Sequence, residues 1–199
     1  MDALFLAGHP GLDFLNTKFV EPGTGTTLEA IGDGSAFVAW VRQAGLLGVG
    51  DAAPRLRFSE KALDAAAAEA RRFRQWASDW VERWRRDPTG DHRAEVERLN
   101  RLLERTAYHR QVAARSGSLT LLERCRIGTA SDLMTLVALQ IALLVAHEQP
   151  ELVKRCEGAE CVLWFMDRTK AHRRRFCSAA VCGNRAKVAA FRERQRDRS

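Results

Sequence analysis

The chain has 199 residues, 46% of them apolar, with 32 Lys+Arg against 25 Asp+Glu and five cysteines. That balance is ordinary for a globular protein of one domain plus an appendage, or of two small domains. The length, the odd cysteine count and the lack of a cationic leader in Met1–Phe14 exclude a disulfide framework, so the expectation is cytoplasmic residence with reduced thiols.

In chain order, residues 3–20 are apolar and broken by Gly8, Pro10 and Gly11, which reads as a short strand or extended entry. Glu21–Thr26, with Pro22, Gly23 and Gly25, is a turn; Leu28 to Leu47 can form a helix interrupted near Gly32–Gly34 and stopped at Gly45–Gly50. From Ser59 to Arg86, Leu63, Ala66, Ala70, Phe73, Ala77, Trp80 and Trp84 recur at steps of three and four, so one helical face is apolar and its tryptophans are core. Asp87-Pro88-Thr89-Gly90 ends that helix. A second one, capped by Asp91, carries Val96, Leu99 and Leu103 toward Thr106 and pairs antiparallel with the first.

Between Tyr108 and Ile127 two short alternating runs flank Ser116-Gly117-Ser118, the pattern of a β-hairpin. Cys125, alone in that hairpin, reads as a small core residue. Ser131 or Thr129 then caps a helix that reaches His147 and is apolar nearly all round, hence central; Pro150 closes it. Its most apolar part, Leu133 to Ala146, spans 14 residues, too few to cross a bilayer.

Charge separates the chain at this point. Residues 1–150 hold 19 basic and 19 acidic side chains, whereas 151–199 hold 13 and 6, so the whole excess of +7 sits on the last 49 residues. A positive potential confined to one module implies a polyanionic partner, nucleic acid ahead of an anionic membrane. The same segment carries Cys156, Cys161, Cys177 and Cys182, two C-x4-C pairs separated by fifteen residues. Thiolates at that spacing are ligands for one tetrahedral Zn2+, and the bound ion supplies folding free energy of order 10 kcal/mol to a segment too small and too charged to bury a core. Gly158 gives the first knuckle its turn freedom, Val162–Met166 is a strand-like run shielding the site, Arg173–Phe176 is a basic strand, and Ser178 caps a final helix.

These residues resemble the CGNR zinc-finger proteins, whose N-terminal region is the ABATE domain and which carry the label of stress-induced transcription regulators. The tetrad that names the finger stands here as Cys182-Gly183-Asn184-Arg185, with Cys156, Cys161, Phe165, Asp167-Arg168, Arg174-Arg175, Cys177-Ser178 and Lys187 in matching places. Leu12-Asp13-Phe14-Leu15-Asn16-Thr17 is similar to the opening motif of that family. The resemblance implies the architecture more directly than the biochemistry.

The expected fold is therefore α+β: a mainly helical N-terminal body over 1–150 with a short β-hairpin, then a treble-clef or ribbon-like four-cysteine zinc finger over 151–199 with a basic C-terminal helix. The expected function is DNA-binding transcriptional regulation, DNA ahead of RNA, through Arg173, Arg174, Arg175, Asn184, Arg185, Lys187 and Arg192, with no membrane partner. Four thiolates leave zinc no open position, and no phosphate-cradling loop, nucleophile elbow or carboxylate pair is present, so no enzyme is expected. Two alternatives stay open: a zinc-shaped protein-docking module anchored by Trp164, Phe165 and Met166, and a ligand-binding body in which Asp13, Asn16 and Thr17 line a pocket. A homodimer and a small-molecule effector also stay open.

Overall fold

The computed structural model describes residues 5–21, 24–47, 57–105, 107–115 and 117–196. Pro22–Gly23 of the expected turn, the stop at 48–50, Thr106, and Ser116 of the hairpin turn lie outside them.

The first element is a helix, α1 (Pro10–Leu15), where an extended entry was expected. Pro10 reads as a breaker, yet at the first helical position its ring presets φ and its missing N–H costs no bond. His9 caps this turn by accepting from Gly11 N through Nδ1 at 3.0 Å. Gly11 lets α1 press on a later helix: a Cβ there would stand 2.7 Å from the Gln140 carbonyl oxygen.

Next comes a hairpin of β1 (Lys18–Val20) and β2 (Thr27–Glu29), pairing Phe19 with Leu28. Leu28 is thus a strand residue, and the interruption foreseen at Gly32–Gly34 is where α2 (Gly34–Gln43) begins, capped by Asp33 accepting from Ala36 N at 2.8 Å. Helix α3 (Glu60–Arg86) begins at Ser59 as its period demands and buries Ala66, Ala70, Phe73, Ala77, Trp80 and Trp84. Helix α4 (Arg93–Leu103) returns alongside; it buries Leu99 and Leu102, while Val96 faces solvent.

The projecting hairpin of β3 (Tyr108–Arg115) and β4 (Ser118–Cys125) turns at Gly117, whose φ of +82° suits a residue without a Cβ. Helix α5 (Leu133–His147) follows a short 3-10 turn in which Asp132 accepts from Gly128 N and Thr129 N at 2.8 Å each. By length and composition alone Ala130–His147 could span a membrane, a longer stretch than the sequence count suggested. The structure instead packs α5 against α1, α3 and α4, with Leu133, Met134, Val137, Ala138, Ile141 and Leu144 fully buried.

Beyond Pro150, which opens a further 3-10 turn, β5 (Val153–Arg155) pairs with β6 (Trp164–Met166) in register Val153 to Met166, Lys154 to Phe165 and Arg155 to Trp164. Alternation along β6 sends Trp164 and Met166 into the main core and Phe165 to the opposite side. The hydrophobic core therefore runs across residue 150, where charge and composition change. A final wide turn, Ala179–Gly183, leads into α6 (Asn184–Arg196); the expected basic strand at 173–176 is an extended loop.

Asn16 locks the junction from the other side. Its Nδ2 donates to the Trp164 carbonyl at 2.9 Å, its Oδ1 accepts from Trp164 N at 2.8 Å, and Met166 N donates to the Ala7 carbonyl at 2.7 Å. An Asn16→Leu substitution strands two buried main-chain groups, each worth about 1–3 kcal/mol. Thermal unfolding of the purified variant should show Tm lowered by roughly 5–15 °C.

Candidate metal centre and nucleic-acid interface

Cys156 leaves the end of β5, Cys161 lies in the turn before β6, Cys177 closes the extended loop, and Cys182 sits in the wide turn at the start of α6. Their four Sγ atoms lie within 4.8 Å of one another, and the Cys161–Cys177 and Cys177–Cys182 sulfurs are each 3.7 Å apart. A disulfide would require about 2.05 Å. Four sulfurs bonded at about 2.3 Å to one tetrahedral ion would stand about 3.8 Å apart, close to the two 3.7 Å separations and compatible with the 4.8 Å limit on the cluster. The cluster fits a metal ion, and His172 takes no part in it: this residue is exposed with φ of 49°, and its carbonyl accepts from Lys154.

Two main-chain donors support the sulfurs, Gly158 N and Cys177 N, both reaching Cys156 Sγ, at 3.4 and 3.3 Å. Gly158 is required for space, not for turn freedom. It is absent from the positive-φ glycines, but a Cβ on it would stand 3.2 Å from Cys161 Cβ and 3.3 Å from Cys182 Sγ. Without a cation the thiols oppose one another. The hydrogen bond with Cys177 pulls Cys161 down to about 5, while that same bond pushes Cys177 up and burial pushes Cys182 up to about 11. One thiolate discourages the next, and a divalent ion is what allows all four to ionise together.

The cluster has an apolar cover from both ends of the chain. Phe19 of β1 joins Leu163, Phe165 and the cysteines, with Leu28 of β2 packed alongside. Nothing in the sequence of Lys18-Phe19-Val20 pointed to this role, since the contact spans more than 130 residues. A buried ion pair, also missed, fixes the loop: Asp167, fully buried, accepts from Lys154 Nζ at 2.6 Å, Arg174 N at 2.8 Å, and Thr169 N and Oγ1. Burial pushes its carboxyl up, but these bonds outweigh that and hold it well below the usual carboxylate range.

The expected phosphate-contacting residues divide into two groups. Arg174 is turned inward: its guanidinium donates to the Phe176, Cys177 and Met166 carbonyls and lies 4.5 Å over the Phe165 ring, so it braces the metal loop. Arg175 pairs with Glu157 at 2.6 Å, which lowers its value as a free cation. Arg173, Asn184, Arg185, Lys187 and Arg192 are exposed. On α6, Arg185, Arg192 and Arg196 recur at steps of seven and four and share a stripe, whereas Lys187 and Arg194 lie on the other side.

The three residues left open as a ligand pocket are each engaged in hydrogen bonds inside the fold. Asp13 accepts from Ala7 N, Asn16 holds Trp164, and Thr17 donates to the Phe14 carbonyl while accepting from Arg74. Burial raises the Asp13 carboxyl above its usual range. Trp164, Phe165 and Met166 are at most 1% exposed, so they cannot anchor a docked protein. A cleft of about 280 Å³ does open beside the metal cluster, between Gly158, Cys182, Arg185 and Ala189.

Because the cover over the cluster comes from β1 and β2, metal loss should be felt in the body. Cys182→Ser protein should lose its stoichiometric metal by elemental analysis and release Trp164, read as a red-shifted tryptophan emission. Unchanged metal content would contradict the four-sulfur site.

The model of the ABATE domain, described as "Putative stress-induced transcription regulator", matches residues 8–148, and that of the CGNR zinc finger matches residues 153–195. A comparison with curated proteins gives no match. With the first match alone spanning more than half of the chain, and the four clustered cysteines falling inside the second, this protein belongs to the ABATE family and carries a C-terminal CGNR zinc finger.

Proposed function

We propose that the chain is a zinc-loaded DNA-binding transcription regulator whose finger meets the duplex through Arg173 and the Arg185, Arg192 and Arg196 stripe of α6, with Asn184 available for a base edge. The observation that carries this reading is a division of labour among the cations. Arg174 and Lys154 are consumed in holding the loop, while the exposed cations of α6 have no carboxylate partner among the described residues. Cations left unneutralised on a metal-braced scaffold attract a polyanion and position it, and Arg and Asn can also make bidentate contacts to bases. Zinc is the metal that the four-thiolate donor set suits best, and with no open position its role is structural.

DNA is favoured over RNA because a helix presented from a rigid finger fits the major groove of B-form duplex. The protein-docking alternative has lost its three expected anchors to burial and has no comparable support. The N-terminal body then regulates what the finger binds.

Fluorescence anisotropy with labelled duplex tests this. With four phosphates neutralised, affinity should fall on the order of a hundredfold between 50 and 200 mM salt. Replacing Arg185, Arg192 and Arg196 together by Gln should abolish binding with zinc content intact, while Arg174→Gln should lower stability first. Binding that survives the triple change, or a flat salt dependence, would reject the assignment.

A further inference from the structure

Ion pairs or main-chain hydrogen bonds hold six of the nine arginines on the two antiparallel helices of the body. On α3, Arg71 donates to the Ile31 and Gly32 carbonyls, Arg74 pairs with Glu29, Arg83 with Glu95, and Arg85 and Arg86 with Glu82. On α4, Arg93 pairs with Asp91. Arg72, Arg98 and Arg101 are the exceptions: among the described residues none has a hydrogen bond or an ion pair, and Arg72 and Arg101 have no ring contact either. Both line one cleft of about 430 Å³ between α3 and α4.

Two further guanidinium groups line the same space. Arg98 is steadied 4.5 Å over the Trp76 ring and has no carboxylate partner, and Arg105 pairs with Glu69 at 2.6 Å. Glu69, the one carboxylate of the cleft, is taken up by Arg105 and by Ser131 at 3.1 Å. Phe73 and Leu102, both buried, form an apolar floor held by the helix pair. Four guanidinium groups thus face one carboxylate within a body whose charges as a whole balance at 19 to 19. Like charges gathered without counter-charges repel, and the fork geometry of arginine matches phosphate oxygens.

We propose that the α3–α4 cleft binds a compact, multiply charged phosphate-type anion. The charges converge on one concavity instead of forming a stripe, which suits a small phosphorylated ligand better than a polymer backbone. Such a ligand bridges α3 and α4 through Arg72 and Arg101, with Arg98 closing the side. This inference rests on the N-terminal body alone and stands apart from the DNA-binding role of the finger.

Isothermal titration of the full zinc-loaded chain with inorganic pyrophosphate, in low-salt chloride buffer, should give saturable binding of one ion per chain. Arg72→Gln combined with Arg101→Gln should weaken it about tenfold or more. Without ligand the double variant should melt at the same temperature as the parent or higher, since the change removes like charges and breaks no described contact; Arg101→Gln alone should give a smaller loss of affinity. Duplex DNA binding, measured in parallel, should be unchanged. Absence of saturable binding, or equal binding by the double variant, overturns the proposal. So does loss of DNA affinity in the double variant without pyrophosphate binding, which would make the cleft a backbone contact.

Discussion

The strand Trp164-Phe165-Met166 is where the protein is held together, because it serves two interiors at once. A strand turns successive side chains to opposite faces. Trp164 and Met166 complete the main core beside α1, and Phe165 lies against the cysteine cluster. The backbone of the same strand is gripped by Asn16 and by the Ala7 carbonyl. The finger is thus continuous with the body, and the strand that backs the four sulfurs also closes the body.

This sharing explains how the polar residues are spent. The metal loop carries many cations, and several must be fixed before the rest can be presented. Lys154 is neutralised by buried Asp167, Arg174 is fixed by donating to three carbonyls, and Arg155 lies over Trp164 at 4.0 Å while pairing with Glu82 of α3. What remains exposed on α6 is therefore displayed from a braced base. The N-terminal body shows a related pattern on another surface, where three arginines of α3 and α4 without an ion pair, Arg72, Arg98 and Arg101, line one cleft.

Errors in the sequence reading have local physical causes. Pro10 and Gly11 look like breakers, but Pro10 initiates α1 and Gly11 allows it to touch α5. Leu28 fits an apolar helical period, and only its pairing with Phe19 makes it a strand residue. Arg174 is chemically indistinguishable from Arg173 in an Arg-Arg-Arg run, and burial alone separates a brace from an exposed cation. Asp13, Asn16 and Thr17 combine polarity with apolar neighbours, a pattern shared by pocket linings and by internal clamps.

Periodicity, capping residues and cysteine spacing belong to the chain itself. They determined α3 from Ser59 onward, the hairpin around Gly117, the apolar α5, the four sulfurs of the metal site and the confinement of net charge to the last 49 residues. Each of these follows from neighbours within a few residues, or from residue types with few alternative uses. Tertiary structure alone decided that Phe19 covers the metal cluster, that Asn16 grips Trp164 from 148 residues away, and that Arg72 and Arg101 meet in one cleft. Those outcomes depend on which surfaces the folded helices bring into contact, and no local pattern encodes that.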